Sequence, residues 1–219
     1  METVLILDFG AQYSQLIARR VREQNVYCEV KPCSISPAEI EKIAPIGIIL
    51  SGGPQSVYES VSLRVDPALF ALGIPVLGIC YGCQLMAYSL GGTVAAATEA
   101  TAREYGKTLT EFDTHSAIFQ DLPASSVTWM SHGDYISRVP DGFTVTAKTA
   151  VCPTAAMACP EKRLYGVQFH PEVQHTVEGS EMLRRFLYTV CGASGDWTMA
   201  VVSYTHLRAH ETLANLVCR

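Results

Sequence analysis

Hydrophobic and polar positions in the first part of the chain alternate between the period of a strand and the period of a helix. Short apolar runs, each long enough for one buried strand, lie at residues 4–7, 27–30, 47–50 and 74–79. Apolar residues at helical spacing lie between these runs, over residues 12–23, 37–42 and 66–72, and again over residues 84–90. Strands that alternate with helices predict a parallel sheet covered on both faces.

A different pattern begins at Gly92. Strand-like segments follow at residues 93–96, 107–111, 126–130, 144–149, 155–158 and 164–169, and Gly, Pro or Asp interrupts most of the intervals, which is typical of antiparallel or mixed strands. Residues 177–191 predict a final amphipathic helix. The fold class is therefore predicted as α/β, with a mixed, mainly parallel central sheet and helices on both faces. Right-handed crossovers would bring the turns after residues 8, 50 and 79 to one edge of this sheet.

Composition and charge narrow the class of protein. The chain has 219 residues, 48% of them hydrophobic and 17% charged, and its net charge of −5 does not favour binding to nucleic acid or to an anionic membrane. It contains no run of 18 apolar residues, and Met1 leads almost directly into a strand rather than a signal peptide. The spacing of the eight cysteines suggests no disulfide framework. We therefore expect a cytoplasmic protein with no nucleic-acid or membrane partner.

The turn between the fourth strand and the next helix carries the pattern of a reactive residue. Gly78-Ile-Cys80-Tyr-Gly82 has the glycine spacing of a nucleophile elbow, with cysteine as the nucleophile. A strand that turns directly into a helix brings neighbouring backbones too close for a Cβ, and the helix N-terminus favours a thiolate. Two other interpretations remain open: Cys80 is one more buried apolar residue, or Cys80 and Cys83 form a redox or zinc pair.

A second stretch contains the groups that a cysteine nucleophile needs. An apolar strand leads into His170, Pro171 ends that strand, and Glu172 follows. His170 is suited to accept the thiol proton and return it to a leaving group, while Glu172 holds the other imidazole nitrogen. Taken alone, a His-Pro-Glu run is also compatible with a polar loop.

Acyl transfer through a thioester also needs two hydrogen-bond donors for the tetrahedral oxygen. The N–H of Tyr81, directly after the nucleophile, is one candidate for this oxyanion hole. The N–H of Gly53, in the turn Ser51-Gly-Gly-Pro54, is the other, since glycine lets its backbone approach a substrate. The same turn is also compatible with a plain tight turn, and as a phosphate cradle it lacks the Lys-Ser/Thr of a P-loop.

Six motifs in the expected order give the chain a family resemblance. Residues 78–84, 51–54 and 169–172 resemble the class I (triad) glutamine amidotransferases. Residues 8–15, 103–106 and 129–134 narrow the resemblance to the amidotransferase domains of glutamine-hydrolysing GMP synthases. The resemblance implies a triad of Cys80, His170 and Glu172 that hydrolyses glutamine to glutamate and ammonia.

The resemblance also implies a glutamine pocket. Gln84 and four consecutive residues would bind glutamine or shape its pocket, namely Ser131, His132, Gly133 and Asp134. From the residues alone, this segment is also plausible as a polar turn with Gly133 at positive φ. Cys83 stands where the family usually has methionine, and we expect a Cys83→Met change to be close to neutral.

One part of such an enzyme has no counterpart in the sequence. In the family, ammonia passes to an ATP-pyrophosphatase (synthetase) domain that adenylates xanthosine monophosphate (XMP) and aminates it to GMP. The Ser-Gly-Gly-Val-Asp-Ser phosphate loop of that domain does not occur in this chain. The resemblance therefore implies that the partner is a synthetase, as a domain or as a separate subunit. It also implies that this domain needs no cofactor or metal, with ATP and Mg²⁺ acting only in the synthetase.

Other functions remain compatible with the same residues. Within the class, the chain could be the amidotransferase subunit of anthranilate or carbamoyl phosphate synthesis, although Asp134 favours the GMP-synthase type. A γ-glutamyl or peptide hydrolase would use the same nucleophile and release its product to water. A regulatory domain that binds glutamine without turnover is the alternative that is not an enzyme.

The resemblance stops at about Met199. We therefore expect a glutamine amidotransferase domain over residues 1–199 and a tail over residues 200–219 that is foreign to the fold and poorly ordered. A short amphipathic helix is the alternative for this tail. His206 and His210 have metal-ligand spacing, but the sequence places no further ligand beside them, so no metal site is predicted.

Overall fold

A computed structural model of the chain describes residues 2–10, 13–59, 62–96 and 104–198. The tail predicted over residues 200–219 lies outside these ranges. The strands are β1 (Thr3–Asp8), β2 (Tyr27–Pro32), β3 (Gly47–Leu50), β4 (Val76–Ile79), β5 (Thr93–Ala96), β6 (Glu104–Phe112), β7 (Ser125–His132), β8 (Asp134–Arg138), β9 (Thr144–Lys148), β10 (Ala156–Cys159) and β11 (Leu164–Val167). The α-helices are α1 (Ser14–Glu23), α2 (Pro37–Ile43), α3 (Tyr81–Ser89) and α4 (Gly179–Arg185).

Nine of the strands form one mixed sheet, in the order β2-β1-β3-β4-β11-β10-β9-β6-β7. The five strands from β2 to β11 pair in parallel. The remaining pairs are antiparallel, so β10 and β6 run opposite to the other strands of the sheet. β5 and β8 form a separate antiparallel pair. The predicted mixed, mainly parallel sheet is confirmed.

Alternate residues of the central strands pack on opposite faces of this sheet. On β1, Val4 and Ile6 belong to one buried cluster, together with apolar residues of α1 and α4. Leu5 and Leu7 belong to a second buried cluster, together with residues of α2 and α3. Since both faces are covered, each central strand is a continuous apolar run, as the sequence pattern indicates. The helices predicted on both faces are confirmed.

Two of the predicted helices differ from the observed ones. The helix predicted over residues 66–72 is a short 3₁₀ helix, Pro67–Ala71, which is capped by Asp66 and ends before Gly73 at φ +70°. Short connecting turns commonly have this geometry. The final helix begins at Gly179 rather than at residue 177, and its last turn, Phe186–Val190, is a π-helix. Strand ends otherwise differ by a few residues, as strand boundaries commonly do.

The strand β8 has no counterpart among the predicted elements. The polar turn predicted around Gly133 is instead a bend between β7 and β8, and Gly133 is not at positive φ. Asp134 pairs with Ala96 of β5, a partner from a distant part of the chain. Because β8 is stabilised by this distant strand, its own short sequence does not reveal it. None of the described helices has the length and the apolar character needed to cross a membrane.

Candidate active site

Cys80 occupies the sharp turn between β4 and α3. Its backbone has φ 52° and ψ −108°, a strained conformation for a residue with a side chain. Its N–H donates to the carbonyl of Val167 on β11 at 2.8 Å. Its carbonyl accepts from the N–H groups of Cys83 and Gln84, both at 3.1 Å. The predicted turn from strand to helix at Cys80 is confirmed, and it holds the sulfur at the carboxyl edge of the sheet.

The two glycines beside Cys80 are required by close packing of backbone on backbone. A Cβ on Gly78 would lie 2.7 Å from the backbone nitrogen of Cys83. A Cβ on Gly82 would lie 2.5 Å from the carbonyl oxygen of Leu50, at the end of β3. Both distances are shorter than a Cβ can tolerate. Glycine is therefore required at both positions for a steric reason, as the spacing predicts.

His170 follows β11 and lies beside Cys80, since a Cβ on Gly52 would lie 3.2 Å from Cε1 of His170 and 3.8 Å from Cβ of Cys80. Its Nδ1 lies 2.7 Å from Oε1 of Glu172, and the Glu172 side chain is fully buried. Burial acts to lower the pKa of His170. The hydrogen bonds to Cys80 and Glu172, together with the charges of these groups, act in the opposite direction and raise the pKa to about 11. The site therefore favours a protonated imidazole beside the sulfur.

The position of His170 is set by contacts from three directions. Its N–H donates to the carbonyl of Trp129 on β7 at 3.0 Å, and its carbonyl accepts from the hydroxyl of Thr176 at 2.6 Å. The ring of Tyr13 meets the imidazole edge-on, with ring centroids 5.6 Å apart. From α1, Nε of Arg20 donates to the backbone carbonyl of Glu172 at 2.9 Å. These contacts fix the position of the imidazole and of its carboxylate partner relative to the turn that carries Cys80.

Gln168 lies near the sulfur and has no role among the sequence-based predictions. Its side chain is fully buried, and its Nε2 donates to Sγ of Cys80 at 3.7 Å. Its Oε1 accepts from Nε2 of Gln84 at 3.1 Å, and the same Gln84 nitrogen donates to the carbonyl of Asp134 at 2.8 Å. Because the Gln84 amide nitrogen faces two acceptors, the oxygen of Gln168 must face Gln84 and its nitrogen must face the sulfur.

The only sequence signal for Gln168 is an amide within an otherwise apolar run that ends at His170. A buried polar side chain in such a run is informative, because it must find a partner. Gln84, predicted as a glutamine-binding residue, uses its amide nitrogen within the protein and is itself buried. It therefore shapes the wall around the sulfur.

The predicted oxyanion-hole residues, Gly53 and Tyr81, pack against each other beside Cys80. Tyr81 is the first residue of α3, so its N–H is one of those that a helix leaves without an intrahelical acceptor. A Cβ on Gly53 would lie 3.1 Å from the Tyr81 ring, and a Cβ on the neighbouring Gly52 would lie 3.2 Å from Cε1 of His170. Only a turn of bare backbone approaches the sulfur and the imidazole this closely.

Two cavities meet at Cys80. The larger, of about 480 Å³, is bounded by the turn after β3, the start of α3 and the junction of β7 with β8, so all four residues 131–134 line it. The carbonyl of Ser131 accepts from the Cys80 thiol at 3.7 Å. The charged carboxylates among the described lining residues are Glu59 and Asp134. The smaller cavity, of about 310 Å³, lies between Cys80, Tyr13 and His170.

Other thiols among the described residues lie in a different environment from that of Cys80. Cys83 is fully buried in α3, and burial raises the pKa of its thiol well above its usual value. Burial also raises the pKa of Cys28 to about 11. The seven cysteines among the described residues are all free thiols. A thiol with a raised pKa is a poor nucleophile and a poor redox partner, so this setting does not favour a redox pair of Cys80 and Cys83.

The sequence of the chain matches a described protein family and is similar to those of curated proteins. The family model described as glutamine amidotransferase class-I matches residues 5–190. Over 198 residues, the chain is 55% identical to "GMP synthase [glutamine-hydrolyzing]" of Clostridium botulinum strain Alaska E43, and the match covers 90% of this chain and 38% of that protein. The protein of the same description from strain Hall is 55% identical over 208 residues, which cover 95% and 40% of the two chains. The chain thus spans about two fifths of the length of these curated relatives.

Solved structures show the same fold. A protein from Thermoplasma acidophilum, described as a candidate GMP synthase subunit, superposes with a TM-score of 0.75 at 29% identity, over 95% of this chain and 98% of that one. A glutamine amidotransferase from Thermotoga maritima superposes with a TM-score of 0.71 at 20% identity, over 88% of this chain and 99% of that one. At 20% identity, the similarity to the Thermotoga protein shows a shared fold and nothing more. Both superpositions agree with the predicted fold class.

Proposed function

The chain belongs to the class-I glutamine amidotransferase family, as its motifs predict, and on this premise we propose that it hydrolyses glutamine to glutamate and ammonia. The observation that carries the proposal is the placement of Cys80 beside His170, with which it lines one cavity, while Nδ1 of His170 lies 2.7 Å from Oε1 of Glu172. This arrangement opens onto the larger cavity, of about 480 Å³. A nucleophile, a base and a group that orients the base are the requirements of acyl transfer.

The proposed reaction begins with attack by Cys80. His170 holds the thiol proton, and the sulfur forms a bond to the side-chain amide carbon of glutamine while the electrons of the C=O bond move to oxygen. We assign stabilisation of this oxyanion to the N–H groups of Gly53 and Tyr81, because Tyr81 directly follows the nucleophile and the Gly53 turn packs on the Tyr81 ring. His170 then gives its proton to the amide nitrogen, the carbon–nitrogen bond breaks, and ammonia leaves.

The thioester that remains is hydrolysed by water. His170 accepts a proton from the water, the water oxygen bonds to the thioester carbon, and the carbon–sulfur bond breaks to release glutamate and return a proton to Cys80. Glu172 holds Nδ1 of the imidazole in both half-reactions and stabilises its charged form. Thiol, imidazole and water complete this chemistry, so we assign ATP and Mg²⁺ to a synthetase domain alone.

Charge and shape of the larger cavity support glutamine as its ligand. Glu59 and Asp134 are carboxylates that complement the α-ammonium group of an amino acid. Ser131, His132 and Gly133 form the wall opposite the elbow. The Gln84 amide sets the position of that wall through its bond to the carbonyl of Asp134.

Gln168 has a proposed role in the same reaction. Its amide N–H points at Sγ of Cys80 from 3.7 Å, and the Gln168 side chain is fully buried. A donor in this position stabilises negative charge on sulfur, both before attack and when the thioester collapses. The oxygen of the same amide is occupied by Gln84, so the donor cannot turn away.

We propose that the partner is a synthetase, as a domain or as a separate subunit, which receives the ammonia and aminates XMP to GMP. Two findings support this partner. The curated relatives are named GMP synthase and are longer than this chain, which spans 38% of one and 40% of another. The Thermoplasma protein is described as a subunit, which suggests that the two parts occur as separate chains in some organisms. The free thiols of the described cysteines fit a reducing compartment, and we propose the cytoplasm.

Release of glutamate from glutamine by the purified chain is the test of this function. We expect Cys80→Ala to reduce the rate by at least about 1,000-fold, because the nucleophile is lost. The matched control is Cys83→Ala, which removes a buried thiol three residues away and is expected to change the rate by less than about threefold. The circular dichroism spectrum of each variant checks that the fold is kept.

Three outcomes would contradict the proposal. One is a Cys80→Ala variant that keeps a tenth of the wild-type rate. Another is faster cleavage of a γ-glutamyl peptide than of glutamine, which would indicate a hydrolase. The third concerns the partner, because we expect glutamine turnover to rise when an ATP-pyrophosphatase domain of a GMP synthase and its nucleotides are added. An unchanged turnover would reject the synthetase partner while leaving the glutaminase activity in place.

A further inference from the structure

A second cluster of reactive side chains lies behind the wall of the larger cavity. Glu104 at the start of β6 is paired directly with His132 at the end of β7, and Cys152 lies in the turn between β9 and β10. A carboxylate oxygen, an imidazole nitrogen and the sulfur of these residues all lie within 4.8 Å of one another. Oε2 of Glu104 is 3.4 Å from Nε2 of His132. All three side chains are buried.

The polar atoms of this cluster lack the partners that buried groups require. Within the described part of the chain, Oε2 of Glu104 and both ring nitrogens of His132 have no hydrogen-bond partner. Buried polar groups in folded proteins are almost always satisfied, so an unsatisfied pair calls for a missing ligand. Both side chains are more than nine-tenths buried, with exposed fractions of 6% for Glu104 and 4% for His132.

The remaining contacts hold the cluster in place. The hydroxyl of Thr149 donates to Oε1 of Glu104 at 2.8 Å, and it accepts the N–H of Cys152 at the same distance. The hydroxyl therefore ties the carboxylate to the loop that carries the thiol. Outer groups that orient a ligand in this way are a regular part of metal sites.

We propose that Glu104, His132 and Cys152 bind one divalent transition-metal ion, for which Zn²⁺ is the best match. Carboxylate, imidazole and thiolate are the three ligand types that zinc takes from proteins, and a thiolate disfavours the harder Mg²⁺ and Ca²⁺. A fourth position remains for water. The three ligands are far apart in the sequence, which explains why no motif spacing predicts this site.

Binding of the ion releases a proton from Cys152 to solvent as the sulfur–zinc bond forms. A dication between the three groups neutralises the carboxylate and stabilises the thiolate. Apparent affinity should therefore rise with pH.

The position of the site gives the ion a structural role. His132 lines the larger cavity, and the adjacent Ser131 accepts the hydrogen bond of the Cys80 thiol. A bound ion would link β6, β7 and the β9–β10 turn directly behind this wall. It would also have a route to the site through the cavity that His132 lines.

Zinc binding to the full chain is measured in a background variant. Cys80→Ala removes the thiol of the proposed nucleophile, and His206→Ala with His210→Ala removes the tail histidines, because these groups could bind zinc outside the proposed site. After dialysis against micromolar zinc, we expect one equivalent to remain. We also expect the melting temperature to rise by about 5–10 °C at a free zinc concentration one hundred times the Kd. Cobalt(II) should bind at the same site and give the near-ultraviolet charge-transfer band of a cobalt–thiolate bond.

Single substitutions in the same background locate the site. Cys152→Ser and Glu104→Gln should each weaken binding by more than the roughly 10–100-fold that loss of an outer partner costs, and Cys152→Ser should abolish the cobalt band. Cys28→Ser, which changes another buried thiol, should alter neither zinc binding nor the cobalt band. The proposal is overturned if the background variant retains no zinc, if cobalt gives no thiolate band, or if binding is unchanged by Cys152→Ser. A crystal grown with zinc that shows only an ordered water among the three residues would also overturn it.

Discussion

The elbow around Cys80 and the wall formed by β7 and β8 face each other across the larger cavity, but they are built in different ways. In the elbow, backbone packs on backbone, and a Cβ on Gly82 would lie 2.5 Å from the carbonyl oxygen of Leu50. In the wall, the atom nearest to a Cβ on Gly133 would be Oη of Tyr105, at 3.6 Å. The wall takes its position from side-chain hydrogen bonds, such as the bond from Gln84 to the carbonyl of Asp134.

This difference separates two requirements of the proposed reaction. Attack on an amide needs a sulfur whose position varies little, and packed main chain contributes to this because it fixes the Cα and Cβ that carry the sulfur. Recognition of a small substrate needs a surface whose polar groups are set by other side chains. We therefore expect substitutions in the elbow to affect the fold and the reaction, and substitutions in the wall to affect mainly the reaction.

The largest effect is expected at His170, which connects the two regions through Trp129 on β7 and the thiol in the elbow. His170→Ala should lower kcat for glutamine hydrolysis by at least about 1,000-fold, and Glu172→Gln should cost less, because an orienting carboxylate is less essential than the base it orients. Steady-state glutamate release measures both. His175→Ala, an exposed histidine nearby, is the control.

A variant that combines Cys80→Ala with His170→Ala tests whether the proposed nucleophile and its base act as one unit. A Cys80→Ala/His170→Ala double variant should be no slower than the slower single variant, since a base without its nucleophile contributes nothing. A double variant slower by the product of the two single effects would show that the elbow and His170 act independently.

A smaller effect is expected on stability, and it compares Gly82 in the elbow with Gly133 in the wall. Gly82→Ala should destabilise the fold by about 1–3 kcal/mol through overpacking against Leu50, although alanine is the better helix former. For a domain of this size that is a fall of about 2–12 °C in melting temperature. Gly133→Ala should change stability by less than about 0.5 kcal/mol, because its Cβ would meet ordinary contacts. Equal melting temperatures for the two variants would remove the distinction between elbow and wall.

Gln168 lies where the two regions meet, and its loss should have a moderate effect on activity. Gln168→Met keeps the length of the side chain and removes the N–H that donates to sulfur. A hydrogen bond to a charged group is worth about 1.5–3 kcal/mol, so kcat/KM should fall by roughly 10–100-fold. The rate of alkylation of Cys80 by iodoacetamide should also reach half its maximum at a higher pH. Gln174→Met, at an exposed position, is the control; an unchanged alkylation profile in Gln168→Met would refute the electrostatic role.

A further expected effect is the pH dependence of stability. The pKa of His170 is raised from 6.5 to about 11 in the fold, so its contribution is fully present below the unfolded pKa and is lost progressively as pH rises towards the folded pKa. The difference in unfolding free energy between the wild type and His170→Ala should therefore shrink between about pH 6 and about pH 9. Urea denaturation at several pH values measures this difference. A difference that stays constant or grows over this range would show that the imidazolium is not the stabilised form.

The elements that could be predicted from the sequence are those with local signals. The parallel strands are continuous apolar runs, and the elbow is specified by Gly78 and Gly82, whose steric need is visible in the spacing alone. Cys80, His170 and Glu172 stand out by their places at strand ends, and the structure brings them together. Their roles, and those of the glutamine-binding residues, stay predictions.

Features that depend on distant partners could not be predicted in this way. The strand β8 exists because it pairs with β5, and Gln168 faces the sulfur because Gln84 takes its oxygen. The orphaned atoms of Glu104 and His132 become apparent only once β6 and β7 are aligned. In each case the informative contact joins residues whose sequence neighbourhoods show nothing unusual.

The place of β11 in the sheet has a consequence for the order in which the domain matures. Although β11 is the last of the described strands in the chain, it lies between β4 and β10, and Leu164 pairs with Val76. At about 5–20 residues per second on the ribosome, β4 waits several seconds or longer for its neighbour, with one edge unpaired. During that time the N–H of Cys80 also lacks its acceptor on Val167. Cys80 is therefore synthesised well before His170, and the two residues come together only when β11 closes the gap in the sheet.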